Sequence, residues 1–316
     1  MWVAAKWQSS AIQLKTIPEK NISLGFALAG FGTLLFSLKS IFIKFLYAEN
    51  MDADEVLVMR MALSLPVYIG MLVWSLSGKS SGTNLNNKTL LTIFVLGFFG
   101  YYLASLLDLM GLELISAQLE RLSLFTYPFM VALLGYFFFN ENITRRIIVS
   151  LIVTYTGLYV VMGHELNLMG EGVIEGTFMV LGAALSFAFY VLFSKRYIKQ
   201  LGSQLFTCIA MISSCIFGLF HGVLMLDIQD LSISHAAWFW LVMLVILSTV
   251  IPSFMMTEAL DRIGPTQTGI VGMLGPIFTI VLAIYLLDEP FSVWLVLGVM
   301  LMMMGVANLV RGNGQT

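Results

Sequence analysis

Three groups of residues in this chain put reactive chemistry where it is costly to keep. Lys39 lies inside the apolar run 24–46, Glu120 and Arg121 open the run 117–139, and Tyr101, Ser105 and Asp108 recur at i, i+4 and i+7 within 90–110. The last spacing draws one polar stripe on one helix face, with Tyr102 beside it. Lipid offers no hydrogen bonds, so such a stripe must face protein or a wet cavity. A charge at membrane depth costs about 2.5–3.5 kcal/mol on insertion scales and is a functional candidate by default. These side chains can bind and exchange protons: an ammonium for an anionic group, a carboxyl for a coupling ion. Each also has a plainer reading. Lys39 could be held by a neighbouring carboxylate or by helix carbonyls, Glu120 and Arg121 could be interface charges, and the stripe could serve helix–helix hydrogen bonding.

The elements that position these groups follow from composition. The chain has 316 residues, 59% hydrophobic and 11% charged, with mean hydropathy +0.92; soluble domains carry roughly 25% charged residues. Apolar runs of about 20 residues cross a ~30 Å hydrocarbon core as helices. Ten are predicted, at 24–46, 56–76, 90–110, 117–139, 146–163, 174–194, 203–224, 238–258, 267–287 and 293–310. The fold class is therefore all-α integral membrane, with no room for a separate soluble domain. A net charge of −2 without a Lys/Arg block gives no reason to expect nucleic acid. Cys208 and Cys215 lie seven apart with no CxxC or Cys/His spacing, and His164, His221 and His235 are scattered near loops, so no metal or cofactor is expected. No HExxH-like or paired-Asp cluster supports an enzyme, and no GxxxxGK[ST] loop supports ATP drive within the chain. Arg60 is expected to snorkel to the outer interface, and Glu258 to be an interface charge. Residues 1–22 form a cytoplasmic N-terminal segment, either an interfacial helix with Trp7, Ala11 and Leu14 on one face or a tail, and not a cleaved signal peptide.

The stretch Gly111–Glu141 occurs twice. Shifted by 148 positions, Leu112 falls on Leu260, Ile115 on Ile263, Pro128 on Pro276 and Glu141 on Glu289. Internal repeats decide architecture; here they divide the chain into a first repeat 23–163, a linker 164–172, a second repeat 173–311 and a cytoplasmic tail 312–316. Lys/Arg counting sets orientation. Twelve of the sixteen basic residues fall in the N-terminal segment and alternate connections, while the opposite loops hold mostly acids, so both termini are expected in the cytoplasm. Five spans per repeat is an odd number, so the halves insert with opposite topology: two inverted five-helix repeats, a design that places the site near the midplane where they meet. Pro128 and Pro276, at matched depth, are expected to kink their helices and serve as gating pivots. Repeat-equivalents of Lys39, Glu120 and Arg121 are the uncharged Phe189, Thr268 and Gly269, so charge chemistry is confined to one half.

The doubled Pro…Glu run with its upstream leucines, the Gly32…Lys44 run and Arg60 resemble the drug/metabolite transporter superfamily, specifically its EamA-type ten-helix exporters, over roughly 24–310. The resemblance implies a central cavity lined by helices 1, 3, 4, 6, 8 and 9, with 5 and 10 peripheral and available for a homodimer. By position it points to Lys39, Tyr102, Asp108, Glu120, Arg121, Tyr127, Tyr190 and Gln267 as substrate-binding residues. Phe36, where the family commonly has Trp, and Lys39 itself depart from the family pattern.

These features predict a secondary transporter of the plasma membrane, a bacterial inner membrane. It would export small amphipathic metabolites such as amino acids by alternating access, with lipid as its solvent and protons as candidate coupling ions. Lys39 would contact an anionic group of the cargo, and Tyr102, Tyr127 and Tyr190 would supply aromatic walls. Alternatives are the same fold carrying phosphorylated or nucleotide-linked metabolites, and a non-transporting membrane protein.

Overall fold

The computed structural model describes residues 22–77, 86–140, 143–226 and 233–313. Among them the chain is helical and lacks strands: α1 Ile22–Ala48, α2 Ala53–Ser77, α3 Asn87–Gly97, α4 Ala104–Leu114, α5 Ala117–Leu124, α6 Tyr127–Phe139, α7 Arg145–Met169, α8 Gly172–Leu201, α9 Ser203–Met225, α10 His235–Val245, α11 Ile251–Gly272, α12 Gly275–Leu286 and α13 Val293–Asn313. Eight helical stretches are long and apolar enough to cross a membrane; two shorter apolar ones, Gly275–Leu286 and Val293–Leu309, complete the set. The chain is a multi-pass membrane protein in two duplicated halves.

Three irregularities recur at the repeat offset of 148. Single π-helical turns join α3 to α4 at Phe98–Leu103 and α10 to α11 at Ile246–Val250. Short turns at Phe125–Thr126 and Met273–Leu274 interrupt the fourth and ninth spans. Asn140 and Asp288 both close their helices in the left-handed region, at φ 52° and 53°. Asn and Asp tolerate that region because their short side chains bond locally.

Pro128 and Pro276 are not mid-helix kinks. Each stands at the second residue of a new helical segment, α6 or α12, just after the turn. There the missing N–H and the fixed φ are harmless. Glu141, the end of the first motif, lies outside the described residues.

The eighth and ninth spans also differ from expectation. No loop separates them: Ile251–Gly272 is helical throughout. Contacts with α1 nevertheless reverse along it. A Cβ on Gly32 would meet Met256, and one on Gly25 would meet Ile263. Gly275 then returns to Thr33 and Ser37. The chain doubles back between Ile263 and Gly275, where the sequence carries Gly264 and Pro265. In the first half the corresponding bend is opened by extended Ile115 (φ −126°, ψ 167°) and by Ser116, whose hydroxyl caps α5 at Leu119 N. At the repeat offset the sequence carries Gly264 where the first half carries Ser116.

Close helix approaches rest on facing glycines. A Cβ on Gly111 would lie 2.7 Å from Gly176 O, holding α4 against α8. Gly157 and Gly298 stand in the same relation between α7 and α13, with Asn308 Nδ2 donating to Ser150 Oγ at 2.9 Å. The largest apolar cluster joins α1, α2, α4 and α10 through Ile41, Leu46, Leu57, Leu109, Leu112 and Leu241, all fully buried. Cys208 and Cys215 are free and buried.

Candidate functional site

Helices α1, α4 and α5 bring the predicted charges together. Lys39 Nζ bonds Asp108 Oδ2 and stands 4.0 Å from Glu120 Oε1. Glu120 Oε2 accepts a hydrogen bond from Ser40 Oγ at 2.7 Å. Asp108 and Glu120 are 2% and 0% exposed, while the Lys39 side chain retains 19%. The second oxygens, Asp108 Oδ1 and Glu120 Oε1, are covered and have no donor among the described residues. One ammonium is therefore shared between two buried carboxyls, each with an unfilled acceptor. Such groups are costly to leave unmatched in low dielectric.

Arg60 does not snorkel. It is 5% exposed, two turns into α2, and its Nε has no acceptor. None of the described acids lies within 4.0 Å of its guanidinium, so it is buried without an ion pair. Arg121 diverges from Glu120, as neighbours about 100° apart on a helix must. Its Nη2 would lie 2.8 Å from a Cβ on Gly275, so it reaches the start of α12 in the other half. At the same break, Ser37 Oγ donates to Gly275 O at 3.1 Å.

The tyrosines divide into two networks. Tyr101 Oη lies 3.1 Å from Tyr190 Oη. Tyr190 stacks on Phe187 at 5.7 Å, and Tyr127 meets Phe187 edge-on at 5.4 Å. Gly100, in the π-turn, makes room for Tyr190: a Cβ there would lie 2.3 Å from its ring. Tyr102 joins a separate chain, with Oη 2.9 Å from His221 Nδ1 and His221 Nε2 3.0 Å from Asp54 Oδ1. Asp54 accepts only, so in neutral His221 the proton sits on Nε2 and Nδ1 accepts from Tyr102. His221 is 9% exposed and bridges α2 to the π-turn. No local spacing reveals a pairing of residues 167 apart. Gln267 is exposed on α11 and makes no described contact with these groups.

Where α4, α5, α7 and α12 end or begin together, a cavity of about 390 Å³ is bordered by Lys44, Ser116, Gln118, His164, Glu165 and Glu289. Glu165 accepts from Ser116 Oγ, and from Ser116 N at 3.3 Å. Glu289, in the loop after α12, accepts from Ala117 N at 2.7 Å and Gln118 N at 3.2 Å. It caps the first turn of α5 from the opposite half. Burial holds its carboxyl above the ordinary glutamate value of 4.5, against the opposing pull of those two N–H groups and of Lys44.

Duplicated apolar helices with charged and aromatic side chains turned inward are the architecture of a membrane transporter. The chain belongs to the EamA-like transporter family, which matches residues 23–163 and 174–311. It is 26% identical over 277 residues to "Uncharacterized transporter YcbK" of Bacillus subtilis (strain 168), covering 84% of this chain and 86% of that one. To "Uncharacterized transporter YetK" of the same organism it is 19% identical over 216 residues, covering 66% and 64%. A crystal structure 15% identical in sequence superimposes with TM-score 0.64, over 92% of this chain and 98% of that chain, a likeness of fold.

Proposed function

We propose that this transporter is a secondary exporter of small amphipathic metabolites, amino acids or related compounds, in a bacterial plasma membrane with both termini in the cytoplasm. The observation that carries the reading is Lys39 shared between Asp108 and Glu120. In this conformation the ammonium is taken by Asp108, and Glu120 keeps an open oxygen one ion-pair distance away. Protonation of either carboxyl, or arrival of a cationic group of the cargo, redistributes Lys39 between them. That gives alternating access a coupling element, because the partners sit on three helices that must move relative to one another. The aromatic row Tyr127–Phe187–Tyr190 offers the apolar part of the cargo a wall. A phosphorylated cargo would need several free cations, and Lys39 is already paired.

Counterflow in proteoliposomes, run with a panel of amino acids and related amphipathic compounds under an imposed pH gradient, tests this. Wild-type protein moves at least one of them in a gradient-dependent way, and Lys39→Ala abolishes the movement. Lys39→Ala transporting as well as wild type ends the proposal for Lys39. A wild-type protein that moves none of the panel ends it for the cargo.

A further inference from the structure

The cavity beside Lys44 has an unequal hydrogen-bond inventory. Two of its three carboxylates are occupied: Glu165 by the hydroxyl and N–H of Ser116, Glu289 by the N–H groups of Ala117 and Gln118. Two of its donors are unfilled as well. Gln118 is 4% exposed and its Nε2 has no acceptor among the described residues. Lys44 borders the same cavity and forms no ion pair within 4.0 Å with any described residue, although the charges of Glu289, Glu165, Glu120 and Glu113 all act on it. An amide N–H₂ and an ammonium call for an oxygen anion. The surrounding wall limits its charge: Glu165, Asp288 and Glu289 all border the space against one ammonium, so a dianion meets strong repulsion, and among single carboxylates the wall favours one that carries its own cation, a zwitterion. About 390 Å³ corresponds to roughly a dozen water volumes, room for a molecule of amino-acid size.

We propose that this cavity is a second binding site, taking the carboxylate of a small monocarboxylate or zwitterion on Lys44 and Gln118. Lys44 is five residues along α1 from Lys39, about 7.5 Å of helix rise. The site therefore stands between the Lys39 cluster and the end of the bundle. Its role as a station on the path of the cargo rests on the transport reading; its ability to bind does not. Because Glu289 caps α5 beside it, the site joins side chains of both halves.

The test uses the full-length protein in detergent micelles, its lysines reductively dimethylated with ¹³C-formaldehyde, which keeps their charge. The Lys44 methyl resonance is assigned by its loss in Lys44→Arg. Acetate and glycine are the probes, with methylammonium chloride and sodium sulfate as controls at matched ionic strength. Both carboxylates are expected to shift the Lys44 resonance saturably in the millimolar range, and neither control to do so. Gln118→Leu removes a charge-assisted hydrogen bond and is expected to weaken the acetate response roughly tenfold. Gln118→Asn, which keeps the amide on a shorter arm and guards against a folding defect, falls between. A Lys44 resonance unmoved by acetate and glycine, a response to sulfate at least as strong, or an unchanged response in a folded Gln118→Leu overturns the site. Protein that binds acetate at Lys44 but moves no cargo keeps the site and loses the transport reading; protein that transports with Lys44 unmoved does the reverse.

Discussion

Glu289 accepts the backbone N–H of Ala117 at 2.7 Å across 172 residues of sequence, so the second half of the transporter caps a helix of the first. The first turn of α5 has N–H groups without intrahelical partners, and a carboxylate placed there satisfies two of them and meets the positive end of the helix dipole. The motif's terminal acid is thus a joint between halves.

Removing that joint is expected to be measurable. Glu289→Ala strands two N–H groups and should lower stability by about 1–2 kcal/mol, the usual scale for a lost helix cap. Glu289→Gln, which keeps one acceptor, should lose less. Thermal unfolding in detergent monitored by tryptophan fluorescence distinguishes them.

The same residue gives a pH dependence of known sign. Its carboxyl is held above the ordinary value of 4.5 in the folded protein, chiefly by burial, so the folded state binds the proton more tightly than the unfolded one. Stability then falls as pH rises from 4.5 through the raised value, and is level beyond it. Plotted as the difference in melting temperature between wild type and Glu289→Gln, this decline should appear from pH 4.5 upward. A difference that grows in favour of wild type over that range contradicts it.

Lys39 neutralises buried acid and should not be removable alone. Lys39→Met leaves Asp108 and Glu120 without their cation and is expected to cost about 3–5 kcal/mol. Lys39→Met with Asp108→Asn should recover much of that loss, yet remain inactive in proteoliposomes. Denaturation and counterflow on the same two variants separate stability from coupling.

Gly100 should be intolerant for a reason visible in the packing. Its added Cβ would lie 2.3 Å from the Tyr190 ring, so Gly100→Ala must move Tyr190 and strain the Tyr101–Tyr190 hydrogen bond. Overpacking of this kind costs about 1–3 kcal/mol. The double variant Gly100→Ala/Tyr190→Leu, with the ring gone, should be more stable than Gly100→Ala alone by the same unfolding measurement.

Much of the fold was legible because membrane and repeat constrain it so tightly. Ten apolar runs, the 148-residue offset and the polar stripe ending at Asp108 are local or periodic signals. Lys39, Asp108 and Glu120 could each be nominated from the cost of burying charge. Their mutual pairing could not, because partners 69 residues apart are chosen by packing. The π-turns were equally hidden: Phe98–Leu103 and Ile246–Val250 share no residue pattern, yet occupy the same place in each repeat. Arg60 reads as an interface charge because nothing local marks its place inside the bundle, and the pairings of His221 with Asp54 and Tyr102 span 167 and 119 residues of sequence. The prolines signalled a break but not its form, since a proline at a new segment's second residue and one within a bent helix read alike in sequence.

The two hairpin bends of the repeats are built differently. One has extended Ile115 and a capping serine; the other lies within a stretch, Ile251–Gly272, that is helical throughout. Halves that were perfect copies could trade shapes at no net change in free energy, leaving the openings toward either side equally populated. Unequal bends would remove that balance. A carrier whose halves differ in this way would have a preferred resting side before any cargo or gradient acts on it.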